Sequence, residues 1–118
     1  MRMYGYLTEP YKTNSKDFIY KVMIHEIKKQ GVFVYLYTSP EAVFCSFDLH
    51  YMELEDALEE WKDKIDERGF IEIDDPLPDC QHDCILPIRV KGRDTGNPEW
   101  GKFELLQGNE WVEFKDIT

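Results

Sequence analysis

Alternating apolar and polar positions predict β-strands along much of the chain. The clearest example is Val32–Thr38, where Val32, Val34 and Leu36 share one face and three aromatic side chains share the other. Strands are also predicted at Asp17–Ile27, Ala42–Leu49, Ile85–Lys91, Lys102–Leu106 and Glu110–Phe114, with shorter candidates at Phe70–Ile73 and, as an edge strand, at Met1–Leu7. The short loops between the strands predict antiparallel pairing.

The segment 17–30 and the C-terminal hairpin need a closer description. For residues 17–30, a helix between Ser15 and Gly31 is the alternative to a strand, although the β-branched and aromatic content favours the strand. Gly108 at the first position of a two-residue loop predicts a type II′ hairpin. The resulting register sets Glu104 opposite Glu113, which is mildly unfavourable unless a base such as Lys102 or Lys115 lies nearby.

The segment Glu53–Arg68 has the periodicity of a helix. Its apolar side chains recur every three or four residues and form one stripe, made of Leu54, Ala57, Leu58, Trp61 and Ile65. Gly69 is expected to end the helix in the left-handed conformation, with Ile65 and Phe70 as the apolar pair of a Schellman cap. We expect this stripe to pack against the sheet.

These elements predict an α+β fold in a single domain, residues 1–118. It has a mainly antiparallel sheet of six to seven strands and one principal helix, at about 53–68, packed on one face. Four aromatic side chains are expected on the outer faces of adjacent strands: Phe33, Tyr35, Tyr37 and Phe44. If another element covers these side chains, they belong to a core. If they are exposed, they form a contact patch for a partner.

Composition narrows the function classes. The hydrophobic fraction of 42% and the aromatic fraction of 14% indicate a folded protein. We expect no membrane association, because the sequence has neither the apolar run of a signal peptide nor the ~18 apolar residues of a membrane span. Three cysteines cannot pair completely, which favours a reducing cytoplasm. No basic patch is large enough for a phosphate backbone, so nucleic-acid binding is not expected.

The negative charge of the chain is concentrated in one region. The net charge is −10, and residues 48–83 contain fourteen acidic side chains against three basic ones. Such a local field suits a basic partner. On the predicted helix the acids lie opposite the apolar stripe, where like charges four residues apart repel each other. The residues expected to contact a partner are Glu55, Glu59, Asp63, Asp66, Asp74 and Asp75, with Tyr35, Tyr37 or Trp100 as apolar anchors.

The loop 79–84 contains residue types that bind zinc. Cys80, His82 and Cys84 supply two thiols and an imidazole within five residues. In an extended strand, however, residues 80 and 84 are about 13 Å apart, too far to share one ion. No second CxxC or HxxxH motif completes the set, so no metal site and no cofactor are expected. We expect Cys45 to be a buried thiol because it shares a strand face with Val43 and Phe47.

The leading hypothesis is a small acidic cytoplasmic binding protein that presents residues 48–83 to a basic protein. Inhibitors and immunity-type proteins have this kind of composition, which is an analogy of composition alone. One alternative is a metal-binding or metal-dependent enzyme domain that uses the Cys80/His82/Cys84 loop and the nearby acids. The other is a homo-oligomeric structural domain that associates through its aromatic face. The sequence does not fix an oligomeric state.

Overall fold

A computed structural model describes residues 1–115 of the protein. The fold is α+β, as predicted, and the described residues form eight strands in two antiparallel sheets together with one α-helix. By contacts the chain divides into two compact units, one spanning Met1–Asp74 and the other beginning at Asp75. The sequence predicted one mainly antiparallel sheet, whereas the described residues form two.

The first unit contains a five-stranded sheet and the helix. Its elements are β1 (Arg2–Lys12), β2 (Phe18–Ile27), β3 (Gly31–Tyr37), β4 (Phe47–Tyr51), α1 (Leu54–Trp61) and β5 (Ile71–Ile73). The strand order is β4-β3-β2-β1-β5, and every neighbouring pair is antiparallel. The first four strands therefore form a meander, and segment 17–27 is a strand rather than the alternative helix.

Strands β1 and β4 differ from their predicted limits. Strand β1 continues through Pro10 to Lys12, with an irregularity in its pairing between Tyr6 and Tyr11. It is also an interior strand, because β5 pairs with its other side. Strand β4 begins only at Phe47, since residues 42–46 form bends and irregular backbone instead of the predicted strand.

The helix ends earlier than its sequence periodicity predicted. Helix α1 stops at Trp61 and a 3₁₀ turn covers Lys62–Lys64. Ile65 is extended, with φ −80° and ψ 140°, and forms an isolated bridge with Leu7 of β1. The predicted Schellman cap is therefore wrong, although Gly69 does have a positive φ of 68°, in a turn outside the helix.

The apolar stripe of the helix packs on the sheet as predicted. Trp61 and Ala57 join a buried cluster from strands β2 and β3, and Ile65 packs against that cluster although it lies outside the helix. A Cβ atom at Gly5 would lie 2.9 Å from Cγ2 of Ile65, so the glycine allows this close approach. The other buried members of the cluster are Ile19, Val22, Ile24, Val32, Val34 and Leu36.

The second unit is built on a three-stranded sheet. Its strands are β6 (Ile88–Val90), β7 (Phe103–Gln107) and β8 (Glu110–Phe114), in the order β6-β7-β8. The predicted β7–β8 register is confirmed, including Glu104 opposite Glu113. Arg89 of β6 relieves this pairing, because its Nε lies 3.2 Å from Oε1 of Glu104, and its guanidinium lies 3.7 Å from the ring centroid of Trp111.

Candidate functional site

Three acidic side chains of α1 and the turn that follows it form no ion pair with a basic side chain in the described residues. Glu55 and Glu59 are exposed and one turn apart, and Asp63 is exposed in the 3₁₀ turn that follows. Within residues 1–115, no ion pair shorter than 4.0 Å involves these three carboxylates. The like charges of Glu55 and Glu59 therefore repel each other, and no described basic side chain lies within 4.0 Å of them to offset the repulsion directly.

The position of Lys64 explains part of this imbalance. Its Nζ donates a 2.5 Å hydrogen bond to the backbone oxygen of Glu60 and lies 5.4 Å from the ring centroid of Trp61. It also lies 5.8 Å from the ring centroid of Tyr11. The ammonium group is thus held beside backbone and aromatic rings, and it is not paired with the exposed acids.

Asp66 differs from the other predicted contact residues. It lies beyond the helix and forms a 2.6 Å ion pair with Arg68, whose guanidinium lies 3.9 Å from the ring centroid of Tyr6. The hydrogen bond from Arg68 is the main reason that the pKa of Asp66 is lowered. Its charge is therefore already balanced within the protein.

The remaining predicted contact residues lie at exposed positions in both units. Asp74 ends the first unit, and its backbone oxygen accepts a 2.8 Å hydrogen bond from Nε of Arg2. Asp75 begins the second unit and is also exposed.

Trp100, in the second unit, is 74% exposed and precedes Gly101, whose φ is 89°. The backbone N–H of Lys102 donates a 3.1 Å hydrogen bond to the oxygen of Glu99, so Gly101 is the third residue of this turn, where type II turns have a positive φ. The indole of Trp100 is thus exposed on a hydrogen-bonded turn.

The two predicted tyrosine anchors are buried. Tyr37 is 1% exposed, and Nζ of Lys21 lies 4.5 Å from its ring centroid. Tyr35 is 9% exposed, with its hydroxyl 3.5 Å from Nδ1 of His25. Their rings belong to a covered face of the five-stranded sheet, which is the core alternative raised by the sequence. Of the three aromatic anchors predicted, Trp100 is the exposed one.

Sequence reasoning did not single out the buried basic side chains on this face of the sheet. Arg2, Lys21 and His25 are all buried, and Nζ of Lys21 donates a 3.0 Å hydrogen bond to the backbone oxygen of Ala42. A signal was present, because Lys21 and His25 share one face of β2 at the strand period of two. In register they lie beside the aromatic residues of β3.

Sequence reasoning also missed two exposed apolar side chains near the acidic helix. Met52, which joins β4 to α1, is 78% exposed, and Leu49 of β4 is 37% exposed. A large apolar residue between a strand and an acidic helix start was the available signal. Exposed apolar side chains beside charged ones are typical of contact surfaces.

The cysteine loop does not assemble a metal site among the described residues. Cys80 and Cys84 are buried thiols, whereas His82 is exposed. Cys80 forms an isolated bridge with Arg89, which draws its backbone to the edge of β6. Across residues 1–115 no group of three or more His, Cys, Asp or Glu side chains is placed to hold a metal ion.

The chain matches no protein-family profile, and neither the curated proteins nor the solved structures contain a significant match. Within the part of the chain that the structure describes, no helix has the length and apolarity needed to cross a membrane.

Proposed function

We propose that the protein binds a basic protein partner through the acidic surface of α1 and its following turn, defined by Glu55, Glu59 and Asp63. The observation that carries this proposal is the exposure of these carboxylates without a basic neighbour within 4.0 Å in residues 1–115. A basic partner supplies the missing counter-charge.

Acids elsewhere in the chain provide the contrast. Asp66 is paired with Arg68, Glu104 with Arg89, and Glu99 with Lys102. Mixed charge of this kind is what stability alone favours, because exposed like charges four residues apart destabilise a helix by a few tenths of a kcal/mol per pair. The uncompensated acids on α1 therefore support a role in recognition.

The expected consequence is faster association. Rim charges act at long range and steer encounter, so their removal lowers the association rate more than it raises the dissociation rate. Salt screens this field beyond about 8–10 Å. A function of inhibitor or immunity type, directed at a basic protein in a reducing cytoplasm, is consistent with these features and with the thiol state of the three cysteines.

The experiment is capture of partners from the native host at low and high salt, followed by rate measurements with the captured protein. We expect Glu55→Gln, Glu59→Gln and Asp63→Asn together to lower the association rate about tenfold at low salt and by less than about twofold at high salt. The matched control replaces Glu9, Glu26 and Glu110 by Gln, three exposed acids outside this surface.

Because both variants lose three negative charges, comparing them shows whether the position of the charges on α1 matters or only the net charge of the protein. Equal effects of the two variants would overturn the proposal, since binding would then depend only on net charge. Recovery of no basic protein, or of a partner whose binding ignores the α1 substitutions, would overturn it as well.

A further inference from the structure

We propose that the open edge of β4 accepts an extended basic segment of the partner as an additional strand of the five-stranded sheet. This inference rests on the proposed function for the charge of the partner. It adds the conformation that the bound segment adopts, and it involves main-chain groups that the proposed function does not use.

The outer edge of β4 is unpaired and accessible. Strand β4 ends the order β4-β3-β2-β1-β5, so no strand within residues 1–115 pairs with its other side. Asp48, Leu49 and His50 are consecutive, point to alternate faces of the sheet, and are all exposed. Their partners Val34 and Tyr35 on β3 are buried. Neither face is therefore closed off at this edge.

Strand β4 lacks most of the features that normally protect a sheet edge. Such edges are commonly blocked by charged side chains, above all lysine, by a proline, by a bulge or by a very short strand. Of these β4 has only the charge of Asp48, which repels an acidic strand but attracts a basic one. The sequence Phe47–Tyr51 contains neither lysine nor proline, and its pairing with β3 is continuous over five residue pairs. The opposite edge strand, β5, has only three residues. The unpaired main-chain groups of β4 are the ones available to a strand from another chain.

The surroundings of this edge are acidic. The hydroxyl of Tyr51 donates a 2.7 Å hydrogen bond to Oε2 of Glu60, which places that flank of α1 beside the end of β4. Asp56 lies one turn before Glu60 and therefore on the same flank. Asp48 and Glu53 add exposed carboxylates on and beside the strand. An incoming strand thus meets negative charge at this edge.

Two exposed apolar side chains accompany these acids. Leu49 lies on the strand and Met52 directly follows it, so both offer contacts to apolar side chains of an incoming segment. A segment that alternates lysine or arginine with apolar residues fits both features, because successive side chains of a strand point to opposite faces. The occupant is therefore an extended basic segment and not a basic helix.

The test uses two synthetic peptides of equal charge and length. One repeats Lys-Val four times, and the other repeats Lys-Pro four times, which removes half of the N–H donors and disfavours pairing in a sheet. We expect the full-length protein to bind the Lys-Val peptide at least about tenfold more tightly, with amide exchange slowed in β4. Equal affinities for the two peptides, or exchange unchanged in β4, would overturn the inference.

A protein variant checks the edge separately. Leu49→Lys places a lysine on the strand and is expected to remove the preference for the Lys-Val peptide, with circular dichroism verifying the fold. The variant of Glu55, Glu59 and Asp63 is expected to weaken both peptides equally, so failure of the proposed function and failure of this inference give different results. A dimer of the free chain with exchange already slowed in β4 would assign the edge to a second copy and overturn the inference.

Discussion

Nε1 of Trp61 donates a 3.1 Å hydrogen bond to the phenolic oxygen of Tyr51, which ties the end of α1 to the end of β4. The same hydroxyl donates to Glu60, so one phenol connects two consecutive helix residues to the sheet. This connection fixes the orientation of the acidic helix, and it makes Tyr51 sensitive to pH.

The stability of the protein is expected to fall above pH 10 through Tyr51. Burial and the hydrogen bond to Glu60 raise its pKa from 10.0 to about 12 in the folded protein. Between these values the unfolded chain loses the proton while the folded protein retains it. The contribution is therefore complete below pH 10 and is lost as the pH rises towards 12. We expect Tyr51→Phe to reduce the decline in unfolding free energy over pH 10–12, measured by urea denaturation.

The unfolding free energy of Tyr51→Phe at neutral pH distinguishes the titration of Tyr51 from a loss of stability that does not depend on pH. There Tyr51→Phe is expected to cost about 1–2 kcal/mol, because it removes the hydrogen bond to Trp61. If the difference in unfolding free energy between the wild type and Tyr51→Phe stays constant from pH 7 to 12, the Tyr51 proton does not contribute to the pH dependence of stability.

Trp61 is expected to be a principal source of stability in the first unit. It is 1% exposed, and Trp61→Ala should cost ~3–5 kcal/mol of unfolding free energy. Trp100→Ala provides the control for loss of an indole, since Trp100 is 74% exposed and its replacement should change stability by less than about 0.5 kcal/mol. Similar losses in the two variants, measured by denaturant unfolding, would contradict the assigned packing.

Alanine substitutions at two glycines of the second unit are expected to differ in cost, because both have a left-handed backbone but only one leaves no room for a Cβ atom. Gly92 and Gly96 have nearly equal φ values of 80° and 78°. A Cβ atom at Gly92 would collide with the backbone oxygen of Asn97, whereas at Gly96 it would meet nothing within 4 Å. We expect Gly96→Ala to cost about 1–2 kcal/mol from the left-handed conformation alone, and Gly92→Ala to cost clearly more. Thermal unfolding of the two variants checks the order, and equal costs would contradict this loop geometry.

The three cysteines are expected to react at two rates. Cys45 is half-buried, which corrects the expectation of a buried thiol, because residues 42–46 leave the sheet. Cys80 and Cys84 are buried. Titration of the native protein with a thiol reagent should modify Cys45 first and the other two slowly, with all three reacting in denaturant. Faster labelling of Cys80 or Cys84 than of Cys45 would contradict the burial of that loop.

Local chemistry made some elements predictable. The β7–β8 register follows from strict alternation around Gly108, whose φ of 62° suits the first position of a type II′ turn. Strand β3 follows from alternation alone. The exposed acids of α1 follow from helical periodicity, because one face of that helix is uniformly charged.

The wrong predictions concern features that depend on tertiary structure: where the helix ends, where strand β6 begins and which sheet faces are covered. Ile65 continues the helical stripe in sequence, but its bridge with Leu7 draws it into an extended conformation. The strand predicted at Ile85–Lys91 begins only at Ile88, so Leu86, which alternates with Ile88 in sequence, is 51% exposed. Tyr35 and Tyr37 are buried on a second covered face, and a single sequence does not indicate whether a sheet is covered on one side or on both.

The position of β5 beside β1 has a consequence for synthesis of the chain. Arg2 pairs with Ile73, whereas the hairpins of the β1–β4 meander pair residues close in sequence. Local pairings form sooner than distant ones, because a long loop must close before a distant pairing forms. On the ribosome, four strands are therefore able to assemble while one side of β1 still waits for residues 71–73. During that interval the nascent protein exposes a second open sheet edge, and such unpaired edges make a partly folded chain prone to aggregation.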